Sequence, residues 1–368
     1  MIIFLIFKNQ EIMLKDLRNS QKKSGAKLLE NDNIIESFNN DSQGFKSAYD
    51  DVVICDRSHW GLLQLTGEDR LRFLHNQTTN DINRLQCGQL CDTVFVNSTG
   101  RTLDLVTTYV TEDSILLLVS PNRRRFLYEW MDRYIFPMDK VEIRDISEQN
   151  AIFTIIGKEA AKKLNQWDIA AQILSELSPR KYGLLTVEEK NIMIGYDTGL
   201  NLSGYTLIVP ENLAKTVWET VINLGIIPIG DRVWQQLRIK QGRPYPDQEL
   251  TEDYNPLEAG LWSSISFDKG CYIGQETIAR LNTYQGVKQR LWGVKLTQPV
   301  KAGNTVMVDD KKVGILTSSI QLEEECLGLA YVKTKAGGEG LKVTIGDAKG
   351  QLISVPFLSH EYYKPESK

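Results

Sequence analysis

No strong excess of either charge is present: 43 basic against 47 acidic side chains leave a net charge of -4, with a pI near 5.6. That balance excludes a global attraction to nucleic acid or to an anionic membrane, so either partner would need a local patch. The two short basic clusters, Arg123 to Arg125 and Lys288 to Arg290, read as solvated faces of an element. No direct nucleic-acid partner and no membrane partner is expected. Cysteine is sparse: Cys55, Cys87, Cys91, Cys271 and Cys326 are an odd, scattered set, which argues against a disulfide framework and for a reducing compartment. Cys87 and Cys91 make a C-x3-C pair, with no second pair to complete a zinc site. Long apolar runs are missing too. The opening MIIFLIF lacks a preceding basic region, is too short for a membrane span and gives way at once to KNQE. A cytoplasmic protein is expected, and Met13 offers an alternative start.

What is present is ordinary globular composition, 42% hydrophobic and 24% charged over 368 residues, enough for two or three domains. Residues 8–47 are polar, with one weak amphipathic trace around Leu28, Leu29, Ile34, Ile35 and Phe38, so 1–47 is expected to be a surface arm, partly helical at best. Two segments then resemble each other. GLLQLTGEDRLRFLHNQ reads as strand, glycine and helix, with Thr66 and Asp69 at capping-box spacing, and AIFTIIGKEAAKKLNQW repeats that order from Ala151.

The downstream halves match as well. SILLLVSPNRRRFLYEWMDRYI is a strand, then Ser120 and Pro121 at N-cap and N1, then a helix with Phe126, Leu127, Trp130, Met131 and Tyr134 on one side. YTLIVPENLAKTVWETVINLG is its counterpart, with Leu213, Val217, Trp218, Val221 and Leu224 inward and Gly225 as the stop. Gly67 and Gly157 are 90 residues apart, Pro121 and Pro210 are 89 apart, so two modules of equal length are expected at 48–145 and 146–230. With a hairpin-like run inside each, the order is that of a ferredoxin-like unit. Residues 231–287 form a connecting segment, expected to pack on the first module. From 288 to 362, LWGVKL, NTVMV, KVGILTSS, CLGLAYV, LKVTI and QLISVPF are six short strands at close spacing, a C-terminal antiparallel β-barrel or sandwich. The fold class is α+β.

The chemistry concentrates in KGCYIGQE, Lys269 to Glu276. Ile278 and Leu281 give one apolar side and Gly286 a stop, so a short helix begins near Gly274 and Cys271 sits just ahead of its N-terminus. Exposed N-H groups and the positive end of the helix dipole favour a thiolate there, and Lys269 adds a nearby positive charge. Gly270 and Gly274 let a partner approach the backbone, while Gln275 and Glu276 supply hydrogen-bonding groups in the first turn. Only His59, His75 and His360 exist, none near this thiol in sequence, so a Cys-His nucleophile needs a partner brought in by folding. On this chemistry alone a functional thiol and a buried structural one are equally open.

KGCYIGQE followed by Ala279-Arg280 closely resembles the signature of the YgfZ family, folate-binding-type proteins related to the T-protein, the aminomethyltransferase of glycine cleavage. The similarity extends over nearly everything after Val52: CDRSHWG resembles the T-protein segment FDVSHMG, LRIKQGRPYPDQEL its LRLEAG stretch, and NPLEAGL and VGILTSS their equivalents. The resemblance implies two ferredoxin-like modules and a barrel around a central cavity. It implies a role in assembly or repair of iron-sulfur proteins, with client or carrier proteins as partners, tetrahydrofolate as ligand, Cys271 as the required residue, and Lys269, Gly270, Tyr272, Gly274, Gln275, Glu276 and Arg280 as its motif. Alternatives are an active folate-dependent aminomethyltransferase and a tRNA-modification accessory protein. Against the former, the hairpin carboxylate of T-proteins falls on Leu105 here, with Asp104 one residue earlier and so on the other face of a strand. The pterin-gripping Glu corresponds to Thr206 and an Arg to Trp234, while T-proteins generally lack a cysteine at the position of Cys271.

Overall fold

The computed structural model describes residues 14–29 and 34–364. The apolar opening and the alternative start at Met13 lie outside the described residues, as do 8–13 and 30–33 of the expected arm.

The remainder of that arm is folded, which corrects the expectation of a loose surface segment. It forms α1 (Lys15–Lys23), β1 (Lys27–Leu28), β2 (Ile35–Ser37) and α2 (Asp41–Asp50). Leu17 is 1% exposed and Ile35 3%, and both enter the core of the second module, where Phe38 stacks on Trp218 at 6.1 Å. The stretch reads as polar because two of its polar residues are inside as well. Arg18 and Gln21 are buried by bonding the carboxylate of Asp56, with Gln21 at 2.7 Å, so their desolvation is compensated.

After β3 (Val53–Asp56), the first module runs β4 (Gly61–Thr66), α3 (Arg70–Gln77), β5 (Leu90–Val96), β6 (Thr102–Val110), β7 (Ser114–Val119), α4 (Arg124–Asp132) and β8 (Glu142–Asp145). Its sheet is antiparallel in the order β5-β6-β7-β4-β8. That is a ferredoxin-like sheet with β5 added at one edge. The expected capping box at Thr66 and Asp69 does not form: Asp69 instead bonds Arg72 and the backbone N-H of Lys140. On α4 only Leu127 and Met131 are buried; Phe126 is exposed and stacks on Trp130.

The second module runs β9 (Asn150–Ile156), α5 (Ala160–Leu164), α6 (Asp168–Glu176), β10 (Tyr182–Val187), β11 (Lys190–Gly195), β12 (Gly204–Pro210), α7 (Ala214–Asn223) and β13 (Ile227–Ile229), with sheet order β10-β11-β12-β9-β3-β13. The boundary expected at residue 48 therefore does not hold for β3. This strand precedes the first module in sequence but sits inside the second sheet, antiparallel to β9 and parallel to β13. Every residue of β3 is buried, because strands lie on both its edges and helices on its faces.

Helix α8 (Asp231–Gln241) and an irregular passage lead to α9 (Gln275–Thr283). The last six strands, β14 (Gln289–Leu296), β15 (Thr305–Val308), β16 (Lys311–Gln321), β17 (Cys326–Lys333), β18 (Lys342–Ile345) and β19 (Ala348–Ile353), close an antiparallel barrel in the order β14-β17-β16-β15-β18-β19. Barrel and modules are tied by Arg238 on α8, 1% exposed, which bonds Glu249 at 3.1 Å and the Ser318 hydroxyl of β16 at 3.1 Å.

Candidate functional site

The motif turn is held from beneath by Lys269. The last carbonyls of a helix have no intrahelical donor, and Lys269 supplies one across the chain. Its buried ammonium donates to the carbonyls of His75 at 2.5 Å, Thr78 at 2.6 Å and Asn80 at 2.7 Å, closing the C-terminal end of α3. Burial pushes this lysine down to about 7, while three carbonyl acceptors favour the charged form. Its Nζ also lies 4.7 Å from the ring centre of Tyr272. The sequence suggests Lys269 as a charge beside the thiol; the structure commits all three of its donors to carbonyls of the first module.

The turn is closed at its other end by Gly274, the N-cap of α9, with φ 79°. A Cβ there would meet the Asn97 carbonyl oxygen at 2.6 Å and Gly100 Cα at 2.8 Å, so glycine is demanded by both conformation and space. Ile273 N-H bonds the Asn76 carbonyl at 3.0 Å, and the Gln275 side chain accepts from Tyr272 N-H at 3.4 Å. Between these anchors Gly270 and Cys271 are exposed, as are Glu276 and Arg280 on α9. All five cysteines are free; Cys271 and Cys87 are exposed, and the other three are buried. Of the two readings of the motif thiol, the buried structural one does not hold: Cys271 is exposed on a pinned turn.

Folding also brings in a histidine. His75, on α3, is 6% exposed. Its Nδ1 lies 3.3 Å from Asp81 Oδ1 and receives the Asn83 N-H at 3.4 Å. Its Nε2 faces the motif: a Cβ built on Gly270 would stand 3.7 Å from that nitrogen and within 4 Å of nothing else outside its chain neighbours. Burial, then the charge of Lys269, lowers His75 from the ordinary histidine value, so it is neutral at neutral pH. Sequence reasoning passed over it because it is 194 residues from Lys269; the one available signal was that only three histidines could serve. The other two are elsewhere, His59 beside Asp231 and His360 against Trp292.

A second polar cluster occupies the junction between the modules, where a central cavity is expected. The Arg57 guanidinium lies between two indoles, 3.7 Å from the ring centre of Trp60 and 4.2 Å from that of Trp234, and all three residues are buried. Arg57 donates to Thr154 Oγ1 at 3.2 Å and to the Thr198 carbonyl at 3.3 Å, leaving its Nε unpaired, and the Trp234 indole N-H is unpaired too. Burial lowers Arg57 to about 10, helped by neighbouring Arg243. Burial, with Asp92 nearby, lifts the Asp197 carboxyl to about 6. The Thr206 hydroxyl donates to the Asp197 carbonyl at 2.8 Å.

The strand parity expected around Leu105 is observed. Leu105 pairs with Val94 and packs among Val94, Val96, Ile239 and Leu250, facing the connecting segment. Asp104 pairs with Phe95, which belongs to the first module's own core. There its carboxylate accepts the Ser120 N-H at 3.0 Å and the Ser120 hydroxyl at 2.7 Å, tying β6 to the start of the α4 segment.

A model described as the GCVT N-terminal domain matches residues 35–269. A chloroplastic protein of Arabidopsis thaliana named as a transferase is 41% identical, over 94% of this chain and 80% of its own. An aminomethyltransferase of Caldanaerobacter subterraneus subsp. tengcongensis is 30% identical over 85% of each chain. In architecture the chain is similar to the crystal structure of glycine cleavage system aminomethyltransferase T from Bartonella henselae, with a TM-score of 0.83 at 18% identity, over 95% of this chain and 99% of that one.

Proposed function

This chain belongs to the GCVT N-terminal domain family, and within that family we propose that it is an assembly or repair factor for iron-sulfur proteins, acting through Cys271, rather than a working aminomethyltransferase. The observation that carries the reading is the exposed Cys271 thiol on a turn pinned by Lys269 and Gly274. No group of three metal-ligating side chains occurs among the described residues. Cys271 therefore offers a client protein a single thiol contact to the cluster being moved or repaired, the other ligands coming from the client. The aminomethyltransferase reading is weakened by the apolar Leu105 on the face in question and by the engagement of Asp104 with Ser120. A missing proton-transfer group typically costs about 100- to 10,000-fold in rate.

Tetrahydrofolate is the small molecule of this reading, and its place is the module junction. The Arg57 Nε and the Trp234 indole N-H are buried donors lacking acceptors, and Asp197 offers a carboxylate beside them. Donors and an acceptor together suit the mixed hydrogen-bonding edge of a pterin. An effect on tRNA modification would follow indirectly, through iron-sulfur modifying enzymes. Free thiols throughout suit a reducing compartment such as the cytoplasm.

The test is complementation of a deletion strain, read as the activity of an iron-sulfur enzyme of the radical or aconitase type. Cys271→Ala is expected to fail where wild type succeeds; equal restoration overturns the proposal. Reconstitution with lipoylated carrier and tetrahydrofolate addresses the alternative, and appreciable methylene-tetrahydrofolate formation would establish it.

A further inference from the structure

The inner side of α9 is committed to packing. Ile278 is fully buried, and a Cβ added to Gly100, on the turn between β5 and β6, would lie 3.2 Å from Thr277 and 3.5 Å from Ile278. The Asn282 side chain grips the tail of the chain, donating to the Tyr363 carbonyl at 3.1 Å and accepting the Tyr363 N-H at 2.9 Å. The outer side is uncommitted. Glu276, Ala279, Arg280 and Thr283, with Tyr284 at the C-cap, are all exposed, and no side chain among them makes a hydrogen bond, ion pair or ring contact with any described residue.

Solvated helix faces elsewhere in this chain look different. Arg125 and Glu129 close an i,i+4 ion pair at 2.6 Å, and Lys215 and Glu219 approach to 3.8 Å. Glu276 and Arg280 have the same spacing, with the acid first as helix geometry favours, yet they form no pair among the described residues. Tyr284 follows Arg280 by another four positions. It is 78% exposed, and of the large apolar side chains described only Met138 is more so. The three therefore stand along one side of the helix. Tyrosine and arginine are among the residue types that dominate interface energetics, since each buries a large surface and still offers polar groups to a partner.

This stripe adjoins the thiol. The motif turn rests on the end of α3 through Lys269 and Ile273, and α9 rests on the β5-β6 turn through Thr277. Both supports belong to the first module, so the exposed sides of turn and helix face away from it together. An interface of ordinary size covers about 800 Å² per partner, a disc roughly 16 Å in radius. Helix α9 starts at Gln275, just past Cys271, and is about 14 Å long, so a protein seated on the Cys271 thiol extends over most of it.

We propose that the stripe of Glu276, Arg280 and Tyr284 is the surface on which a client protein docks to reach Cys271. The matching face of the client is an apolar pocket for the Tyr284 ring, with a carboxylate beside it for Arg280 and a basic group for Glu276. The proposal rests on Cys271 being the group that acts on a client. It divides the work between neighbours: the turn holds the thiol, and the stripe brings the client to it.

The test is complementation of the deletion strain with expression titrated by inducer, read as iron-sulfur enzyme activity against soluble protein measured by immunoblot. Weakened docking is overcome by mass action, whereas a missing thiol is not. The protein level giving half-restoration is expected to rise at least about 10-fold in Tyr284→Ala and in Arg280→Glu, and less in Arg280→Lys, with full restoration at high expression. Purified Tyr284→Ala carrying Cys87→Ser, which leaves Cys271 as the exposed cysteine, is expected to react with 4,4′-dithiodipyridine at the rate of its Cys87→Ser parent. Its defect then lies in meeting the client, not in the thiol. Half-restoration levels matching wild type in both Tyr284→Ala and Arg280→Glu overturn the proposal. A loss of dithiodipyridine reactivity in Tyr284→Ala that parallels its loss in complementation does so too. So does a concentration-dependent dimer in sedimentation that Tyr284→Ala abolishes, which gives the stripe to a second copy of the chain. Full restoration by Cys271→Ala is a separate failure, that of the reading beneath, and it is scored on its own variant.

Discussion

Replacing Lys269 with methionine keeps the length and apolar body of the side chain and removes the ammonium that pins the motif turn. Three carbonyls, those of His75, Thr78 and Asn80, lose their donor. Hydrogen bonds to a charged group contribute roughly 1.5–3 kcal/mol each, so the gross loss is roughly 5–9 kcal/mol. Against this stands the cost of burying the ammonium. Burial carries Lys269 from 10.5 to about 7, equivalent to about 5 kcal/mol. The variant is therefore expected to be less stable by only about 2 kcal/mol, and to fail locally rather than globally. Hydrogen exchange should quicken in residues 75–80 and 269–274 while the barrel strands keep their protection. The pH dependence has a definite sign. The folded pKa lies below the unfolded one, so the burial cost is in full force below pH 7 and fades as pH rises from about 7 toward 10.5. Wild type gains that relief and the variant cannot, so the stability gap in urea denaturation should widen with pH across that window. Unchanged protection in both segments, or a gap that narrows as pH climbs, refutes the reasoning.

Gly274→Ala is expected to lower stability by about 2–4 kcal/mol, since a Cβ at φ 79° would lie 2.6 Å from the Asn97 carbonyl oxygen; an unaltered thermal midpoint would count against the described turn. Phe38→Ala should cost about 3 kcal/mol by loss of its stacking on Trp218, and a loss below about 0.5 kcal/mol in thermal unfolding would return the N-terminal stretch to the surface. Burial raises the Asp104 carboxyl from 3.8 to about 6, so the stability it contributes is complete below pH 4 and lost as pH rises through 6, by about 3 kcal/mol. Asp104→Asn should flatten that decline, and a variant profile parallel to wild type would contradict it.

The parts of this fold that were legible in the sequence are those built from neighbours. The six barrel strands were visible because each is a short apolar run bounded by turn residues, although only β15-β16, β16-β17 and β18-β19 pair with a sequence neighbour. The two modules showed through the repeated strand-glycine-helix order at Gly67 and Gly157. Leu105 could be read because strand parity is a local property, and a one-residue offset has a definite consequence. The misses are nonlocal. β3 looks like the first strand of whatever follows it, and nothing in Val53–Asp56 advertises a partner at Asn150–Ile156. Leu17, Arg18 and Gln21 look like solvent-facing residues until Asp56 is known to be beneath them. At the site, spacing placed the motif glycines and Cys271 on a turn ahead of a helix, and the resemblance to a family signature singled that turn out. The partners of Lys269 could not, because they are backbone carbonyls and carry no side-chain signature. His75 needed the same fold to arrive beside Gly270.

The position of β3 bears on how the chain is made. During synthesis Val53–Asp56 leaves the ribosome before any strand of the sheet it will join, and β9 follows only after the whole of 57–149. At about 5–20 residues per second, that is a wait of roughly 5–20 s. Throughout it, an apolar strand with both edges unpaired has to be kept from neighbouring nascent chains. The first module folds inside the loop that β3 and β9 will later close, so its completion shortens the search between them. Fragments cut after residue 146 should consequently lack an interior strand of their sheet and bind chaperones avidly, whereas a cut at residue 287 removes the barrel and leaves both sheets whole.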